Sequence, residues 1–326
     1  MVEISVVIPT FNRIEILPEV LTALGAQEGA PSFEVVVVDD GSSDGTWEFL
    51  GGYRAPYRLE ADRQENAGPA RARNRGVELA SGKRVAFLGD DTVPSKGWLR
   101  EHQAAAERHG GEKLLGVIGY TDWHPRMKVD PFLRYINEYG LQFGYALIED
   151  RENVPFNFLY TSNLSLPRQT LLEEPFDLRF PYAAWEDTEL AYRLRERGLK
   201  LVYEPAAKVA HDHPTRLARF MARQEKAGYS AVIFYRLHPE LGGFLGLSPE
   251  GPPPPPPAWR QRLLEKLASA LQMLHLRTPT LWESVLRGHY IAGLHRGWAD
   301  HLAGTFEVEP IRGKLSRAMP GEKETK

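Results

Sequence analysis

An apolar run ends in two adjacent acids: Val85-Ala86-Phe87-Leu88-Gly89-Asp90-Asp91-Thr92. The run reads as a buried strand, and chains leaving such a strand often carry site chemistry. Two neighbouring carboxylates repel unless a positive charge sits beside them. A hard divalent cation is the usual partner, and such a cation commonly holds a diphosphate. Four other clusters could take part. Asp39-Asp40-Gly41-Ser42 follows the apolar run 34–38. Its acids either accept from a nucleobase or ribose or build an Asx turn and helix cap. Of the two, Asp40 is the better ligand candidate. Arg71, Arg73 and Arg75 crowd a helix start. A guanidinium suits phosphate, but a helix separates Arg73 from the other two, so not all three reach one ligand. Trp185-Glu186-Asp187 opens an acid-rich segment. Those acids either complement a helix dipole or supply a general base. His211-Asp212-His213 ends a strand-like run. A metal ligand or proton shuttle competes with a plain surface loop, and only one His, His211, is expected to enter the site.

The intervening chain alternates strand and helix. Ile4–Pro9, 34–38, 57–60 and 85–88 read as strands. Leu17–Ala26 and Ala70–Leu79 read as helices, and this βαβ order predicts a parallel sheet covered on both faces. Further strands are expected at 114–119, 161–166, 201–203 and 208–210, and helices at 187–197 and 217–237. Nine aromatic residues between Trp123 and Tyr160 could stack on sugars or fill a core.

At 326 residues with 42% apolar side chains, a large core is available. The net charge of −3 gives no reason to expect nucleic acid. No cysteine is present, which rules out disulfides and thiolate sites and is in keeping with a cytoplasmic protein. The first residues lack a signal-peptide layout, and no apolar stretch reaches membrane-spanning length.

Six prolines at 252–257 predict an extended spacer. The expected organisation is a catalytic unit at 1–250, the linker at 251–257 and a helical extension at 258–326. The unit divides into a nucleotide half near 1–100 and an acceptor half near 101–235. The extension is basic, with 11 Lys/Arg against 7 Asp/Glu, whereas the rest is acidic. Trp259, Leu263, Leu267, Ala270, Leu271 and Leu274 form a stripe beside Arg260, Arg262 and Lys266. Packing on the catalytic unit or on another subunit is the preferred reading, and a peripheral contact with an anionic membrane is the alternative.

Taken in order, Val6-Val7-Ile8-Pro9-Thr10-Phe11-Asn12-Arg13, Val37 through Thr46, Ala72-Arg73-Asn74, Gly89-Asp90-Asp91 and Glu186-Asp187 resemble the family-2 glycosyltransferases with the GT-A fold. The similarity covers about residues 1–235. It implies a mostly parallel α/β sheet and inverting transfer from a nucleoside-diphosphate sugar to a carbohydrate or lipid-linked acceptor, with cell-surface polysaccharide or glycolipid synthesis as the setting. By that resemblance Thr10, Phe11, Arg13 and Arg73 frame the nucleotide, Asp40 reads the base and Asp90 lies near the ribose. Asp91 and His211 hold Mn²⁺ or Mg²⁺, and Asp187 is the base. No third-position acid follows Asp91, so the diphosphate must complete the metal's ligands. Two other classes are alternatives: a haloacid-dehalogenase-like phosphatase, whose acids should stand one residue apart, and a non-catalytic nucleotide- or carbohydrate-binding protein on the same scaffold.

Overall fold

The computed structural model describes residues 1–304. Eight strands form one sheet: β1 (Ile4–Thr10), β2 (Phe33–Asp39), β3 (Arg58–Arg63), β4 (Arg84–Leu88), β5 (Thr92–Pro94), β6 (Leu115–Trp123), β7 (Asn163–Pro167) and β8 (Lys200–His211). Their order is β3-β2-β1-β4-β7-β6-β8-β5. Pairs within β1–β4 are parallel, as is β6–β8, while β7 and β5 run antiparallel to their neighbours. The mostly parallel sheet expected from the sequence is therefore present.

The described residues also form eleven α-helices: α1 (Leu17–Gly25), α2 (Thr46–Gly52), α3 (Pro69–Leu79), α4 (Trp98–Arg108), α5 (Pro131–Glu138), α6 (Arg168–Glu173), α7 (Glu186–Glu196), α8 (Leu217–Leu237), α9 (Gly242–Leu245), α10 (Ala258–Met273) and α11 (Pro279–Leu302). Strand alternation divides the core. Val7, Val36, Val85 and Phe87 face α3 and α7, whereas Ile4, Val6, Ile8, Val35 and Val37 meet α1. Both faces are covered, so the central strands read as uninterrupted apolar runs.

Two short strands expected at 201–203 and 208–210 are one strand, β8. It crosses Glu204 and Pro205 because its pairing with β6 shifts register at Gly119/Tyr120. The Asn163 amide donates to the Tyr120 carbonyl at 3.1 Å and the Ala207 carbonyl at 2.9 Å, bridging the two strands at the irregularity. Strand β5 and helices α4 and α5 were not foreseen. Three residues are too few to show a period, and α5 begins with an Asp130–Pro131 cap that only the fold makes conspicuous.

Of the extension expected over 258–326, the part from residue 305 lies outside the described residues. Helix α11 crosses α8 closely: a Cβ on Gly228 would strike the Tyr290 carbonyl, and one on Gly293 the Glu225 carbonyl. The glycine inside α8, a poor helix former, is thus the condition for the backbones to approach. Gly228→Val should destabilise the protein by about 1–3 kcal/mol or more. A denaturant midpoint equal to wild type would contradict this close packing.

Candidate functional site

The loops after β1 and β2 are laced together. Asn12, at φ 54°, donates its N–H to Ser42 Oγ (2.8 Å) and accepts from the Ser43 N–H (2.8 Å). The Arg13 N–H reaches Thr46 Oγ1 (3.1 Å), and the Ile14 N–H reaches Asp44 Oδ2 (3.1 Å). The short polar chains 42–46 thereby fix the loop that carries Phe11 and Arg13. Thr10 ends β1, and its carbonyl accepts from the Asp40 N–H at 2.8 Å.

Asp40 is buried and its carboxylate is occupied. It accepts from Gln64 Nε2 (2.7 Å), the Ala67 N–H (2.9 Å) and the Gly68 N–H (2.9 Å). It organises the entry to α3, and a base edge would have to use its remaining lone pairs. Asp39 accepts from the Ser42 N–H at 3.1 Å in an Asx turn and pairs with Arg63.

Asp90 and Asp91 follow β4, and the cations they require are present. Arg13 Nε stands 3.3 Å from Asp90 Oδ1, and its Nη2 stands 3.4 Å from Asp91 Oδ2. The Phe11 N–H donates to Asp90 Oδ2 (3.2 Å). On the other side, His211 Nε2 lies 3.3 Å from Asp91 Oδ1 and His213 Nδ1 lies 3.0 Å from Asp91 Oδ2. The register explains the meeting: β5 pairs Thr92 with His211, while β6 brings Trp123 to the other side of His211. The Trp123 ring stacks on the His211 ring at 5.9 Å, and the two imidazoles stack at 5.3 Å. Burial raises Asp90, and Asp91 beside it adds to the rise. Burial also pushes Asp91 up, but His211 and His213 outweigh it and hold that carboxyl well below the usual range.

Both histidines enter the site, which corrects the expectation of one. Residues two apart on an extended chain share a face, so His213 was legible in the spacing of His-Asp-His. The ligand atoms of Asp91, His211 and His213 lie within 4.8 Å of one another. His211 Nδ1 is buried without a hydrogen-bond partner. Two imidazoles and a carboxylate fit a borderline cation such as Mn²⁺ better than Mg²⁺, which prefers oxygen alone.

Asp187 opens α7, and the backbone before it is strained. Trp185 sits at φ 72°, an unusual conformation for a bulky residue. Its indole N–H donates to the Ala227 carbonyl at 3.0 Å, and its ring meets Phe244 and Phe234. This αL residue turns the chain so that two consecutive acids start the helix. Glu186 is buried and takes Arg73 Nη1 at 2.8 Å, while the Arg73 guanidinium lies over the Phe176 ring. Asp187 Oδ1 accepts from its neighbour's Thr188 N–H at 2.8 Å. Burial, with Glu186 alongside, pushes the Asp187 carboxyl up to about 7, against the pull of Arg73.

Arg73, expected on the nucleotide, is thus engaged with the residue beside the expected base. Arg75 pairs with Asp62 and Glu78, and Arg71 is exposed. Arg73→Leu should cost about 3–5 kcal/mol, because it strands a buried Glu186. The double variant Arg73→Leu/Glu186→Leu should regain much of that loss in urea unfolding. If the double variant is no more stable than the single, the pair is not coupled in this way.

The sequence offered no sign of Arg223. It projects from α8, bonds the Gln142 side chain and lies over the Phe220 ring. Its charge is felt by Asp187, Glu186 and Asp91 together. Thr161, just before β7, bonds Asp187 through its backbone, and the next carbonyl, of Ser162, accepts from the Gly89 N–H at 3.2 Å. Residues 161–162 thus link the start of α7 to the turn after β4 that carries Asp90 and Asp91. Five of the nine aromatics between Trp123 and Tyr160 fill the core: Phe132, Tyr135, Phe143, Tyr145 and Phe158 are buried.

The sequence profile of Glycosyl transferase family 2 matches residues 5–162. This segment of the chain belongs to that family. It is 29% identical to validoxylamine A glucosyltransferase of Streptomyces hygroscopicus subsp. limoneus, over 73% of this chain and 57% of that protein. It is 28% identical to the pre-mycofactocin glycosyltransferase of Mycobacterium tuberculosis, over 73% and 48% of the two chains. The chain thus spans only about half to three fifths of these curated relatives. Among solved structures, the mannosyltransferase PcManGT from Pyrobaculum calidifontis, in complex with GDP-Man and Mn²⁺, superposes with a TM-score of 0.59 at 17% identity, covering 91% of this chain and 87% of that one. Staphylococcus aureus TarS 1-349 in complex with UDP-GlcNAc gives 0.51 at 16% identity, over 93% and 92%. The family-2 chain has the GT-A fold.

Proposed function

We propose that this family-2 chain is a metal-dependent inverting glycosyltransferase that moves a sugar from a nucleoside-diphosphate sugar to an acceptor hydroxyl. The observation that carries the reading is the Asp91–His211–His213 cluster, whose loop is tied through the Gly89–Ser162 hydrogen bond to the segment that meets Asp187. Relatives named as glycosyltransferases, and GT-A structures holding UDP-GlcNAc or GDP-Man with Mn²⁺, support it.

Asp187 takes the proton of the acceptor hydroxyl while that oxygen attacks the anomeric carbon and the bond to the diphosphate breaks. Its partial burial raises its basicity, and Trp185 and the Glu186–Arg73 pair hold it in place. Arg13 and Arg223 offer fixed positive charge to the departing diphosphate. Asp91, His211 and His213 would hold Mn²⁺, which supplies Lewis-acid stabilisation of the leaving group when bound. Asp90, which accepts from the Phe11 N–H, would face the nucleoside, and Asp40 would meet the base through its remaining lone pairs. A role in cell-surface polysaccharide or glycolipid synthesis suits such a site.

A thermal-shift panel of nucleoside diphosphates and their sugars, with and without Mn²⁺, tests the reading. A Mn²⁺-dependent rise in Tm with one nucleotide series, followed by transfer or slow hydrolysis of that donor, is expected. No stabilisation and no turnover across UDP, GDP, ADP, dTDP and CDP donors would overturn it.

A further inference from the structure

We propose that α10 is a docking face for an anionic lipid bilayer. The helix has two unlike sides. Leu264 and Ala268 pack inward with Trp282 and Val285 of α11, and Gln261 Nε2 donates to the Val285 carbonyl at 3.1 Å. The opposite side is left bare: Trp259 is 70% exposed, Leu263 57% and Leu267 47%, and Met273 and Leu274 continue the same strip. At roughly 100° per residue these side chains occupy one arc of the helix. A monomer seldom leaves such a run of large apolar side chains open to water.

Charge selects the occupant. Arg262 and Lys266 border the strip on one side and Arg260 on the other. None of the three has an ion-pair partner among the described residues, although ion pairs are abundant elsewhere on this surface. The one acid on α10, Glu265, lies on the inward side and pairs with His289 at 3.1 Å. Apolar side chains flanked by unpaired cations, with a Trp at one end, match the plane where acyl chains meet anionic headgroups. A cavity of about 580 Å³ lies at the other end of the helix, where Lys128, Arg216 and His275 outnumber Asp130 in the lining. There Gln272 Oε1 accepts from the Leu217 N–H at 3.4 Å, four residues after His213. The C-terminal end of α10 thus touches the segment that follows His213. No helix among the described residues is long and apolar enough to cross a membrane, so the contact is with the surface.

Co-sedimentation of the full chain with phosphatidylcholine vesicles, with and without one quarter phosphatidylglycerol, tests this without requiring turnover. Binding to the anionic vesicles is expected, weakening in 0.5 M salt. Leu263→Glu/Leu267→Glu and Arg260→Glu/Arg262→Glu/Lys266→Glu should each weaken it by at least about tenfold. All these sites are exposed, and circular dichroism melts confirm that the variants fold. Absence of pelleting by wild type, equal pelleting with neutral vesicles, or undiminished binding by both variants would overturn the proposal. So would a wild-type dimer in sedimentation velocity that Leu263→Glu/Leu267→Glu dissociates, with no vesicle binding; that result assigns the face to a second copy.

Discussion

Asp187→Asn is expected to lower kcat by about 10²–10⁴-fold, the range associated with losing a general base. Donor affinity should be nearly unchanged, because the base contacts the acceptor rather than the nucleotide. The wild-type kcat/KM should rise with pH toward an apparent pKa near 7, since burial and Glu186 hold the Asp187 carboxyl at about 7 and only its ionised form accepts a proton. The residual activity of the variant should lose that dependence. Stability should move the opposite way. A carboxyl whose folded pKa is raised loses stability as pH rises from its ordinary value, near 4, to the folded one, near 7, and costs nothing below both. Asp187→Asn should therefore melt above wild type at pH 8, with the gain shrinking toward pH 4. A variant that transfers sugar at the wild-type rate, or that melts lower at pH 8 than at pH 4 relative to wild type, would contradict the assignment.

Asp91→Asn is expected to abolish the Mn²⁺-dependent part of nucleoside-diphosphate affinity, a loss of roughly 10²-fold or more by analogy with other disrupted metal sites. Asp91 is the one anion that joins both imidazoles: its two oxygens lie 3.3 Å from His211 Nε2 and 3.0 Å from His213 Nδ1. Removing its charge leaves the cluster with two imidazole nitrogens and no anionic oxygen. Chelator treatment of wild type should reproduce the defect, and Mn²⁺ should restore binding better than Mg²⁺ because imidazole nitrogens disfavour the smaller, oxygen-seeking ion. Calorimetry with and without Mn²⁺ measures this directly. Wild-type affinity that is independent of metal would exclude Asp91 as a ligand.

The two sites differ in how far the sequence exposed them. Asp90 and Asp91 stood at the end of an apolar run, and strand ends of α/β sheets gather ligands whatever the surrounding fold. The Asp40 signal was as clear, yet the structure gives its carboxylate three hydrogen bonds to residues 64–68. A short acid after a strand serves equally as ligand and as loop organiser, and only neighbours distant in sequence decide which. His213 was misjudged although its spacing from His211 places it on the same face. Arg223 left no local trace at all: it is one of several basic residues on a long helix, and its meaning comes from the charges of Asp187, Glu186 and Asp91, all distant in sequence, acting on it.

Period and chain ends determined much from sequence alone. Apolar runs of β-branched residues require burial on both faces, which sets a parallel sheet, and acids or arginines after those runs mark its functional edge. That logic is local, because hydrophobic alternation and turn chemistry are read within a few residues. The partners are decided by the tertiary structure. Thr92 faces His211 only through the β5–β8 register, Glu186 meets Arg73 across 113 positions of sequence, and Gly228 admits α11 only where Tyr290 arrives. The two faces of α10 follow the same rule: its stripe was visible in the sequence, but which residues packed on α11 and which stayed bare depended on where α11 came to lie. Sequence spacing specifies which face a side chain occupies; long-range packing specifies what stands opposite it.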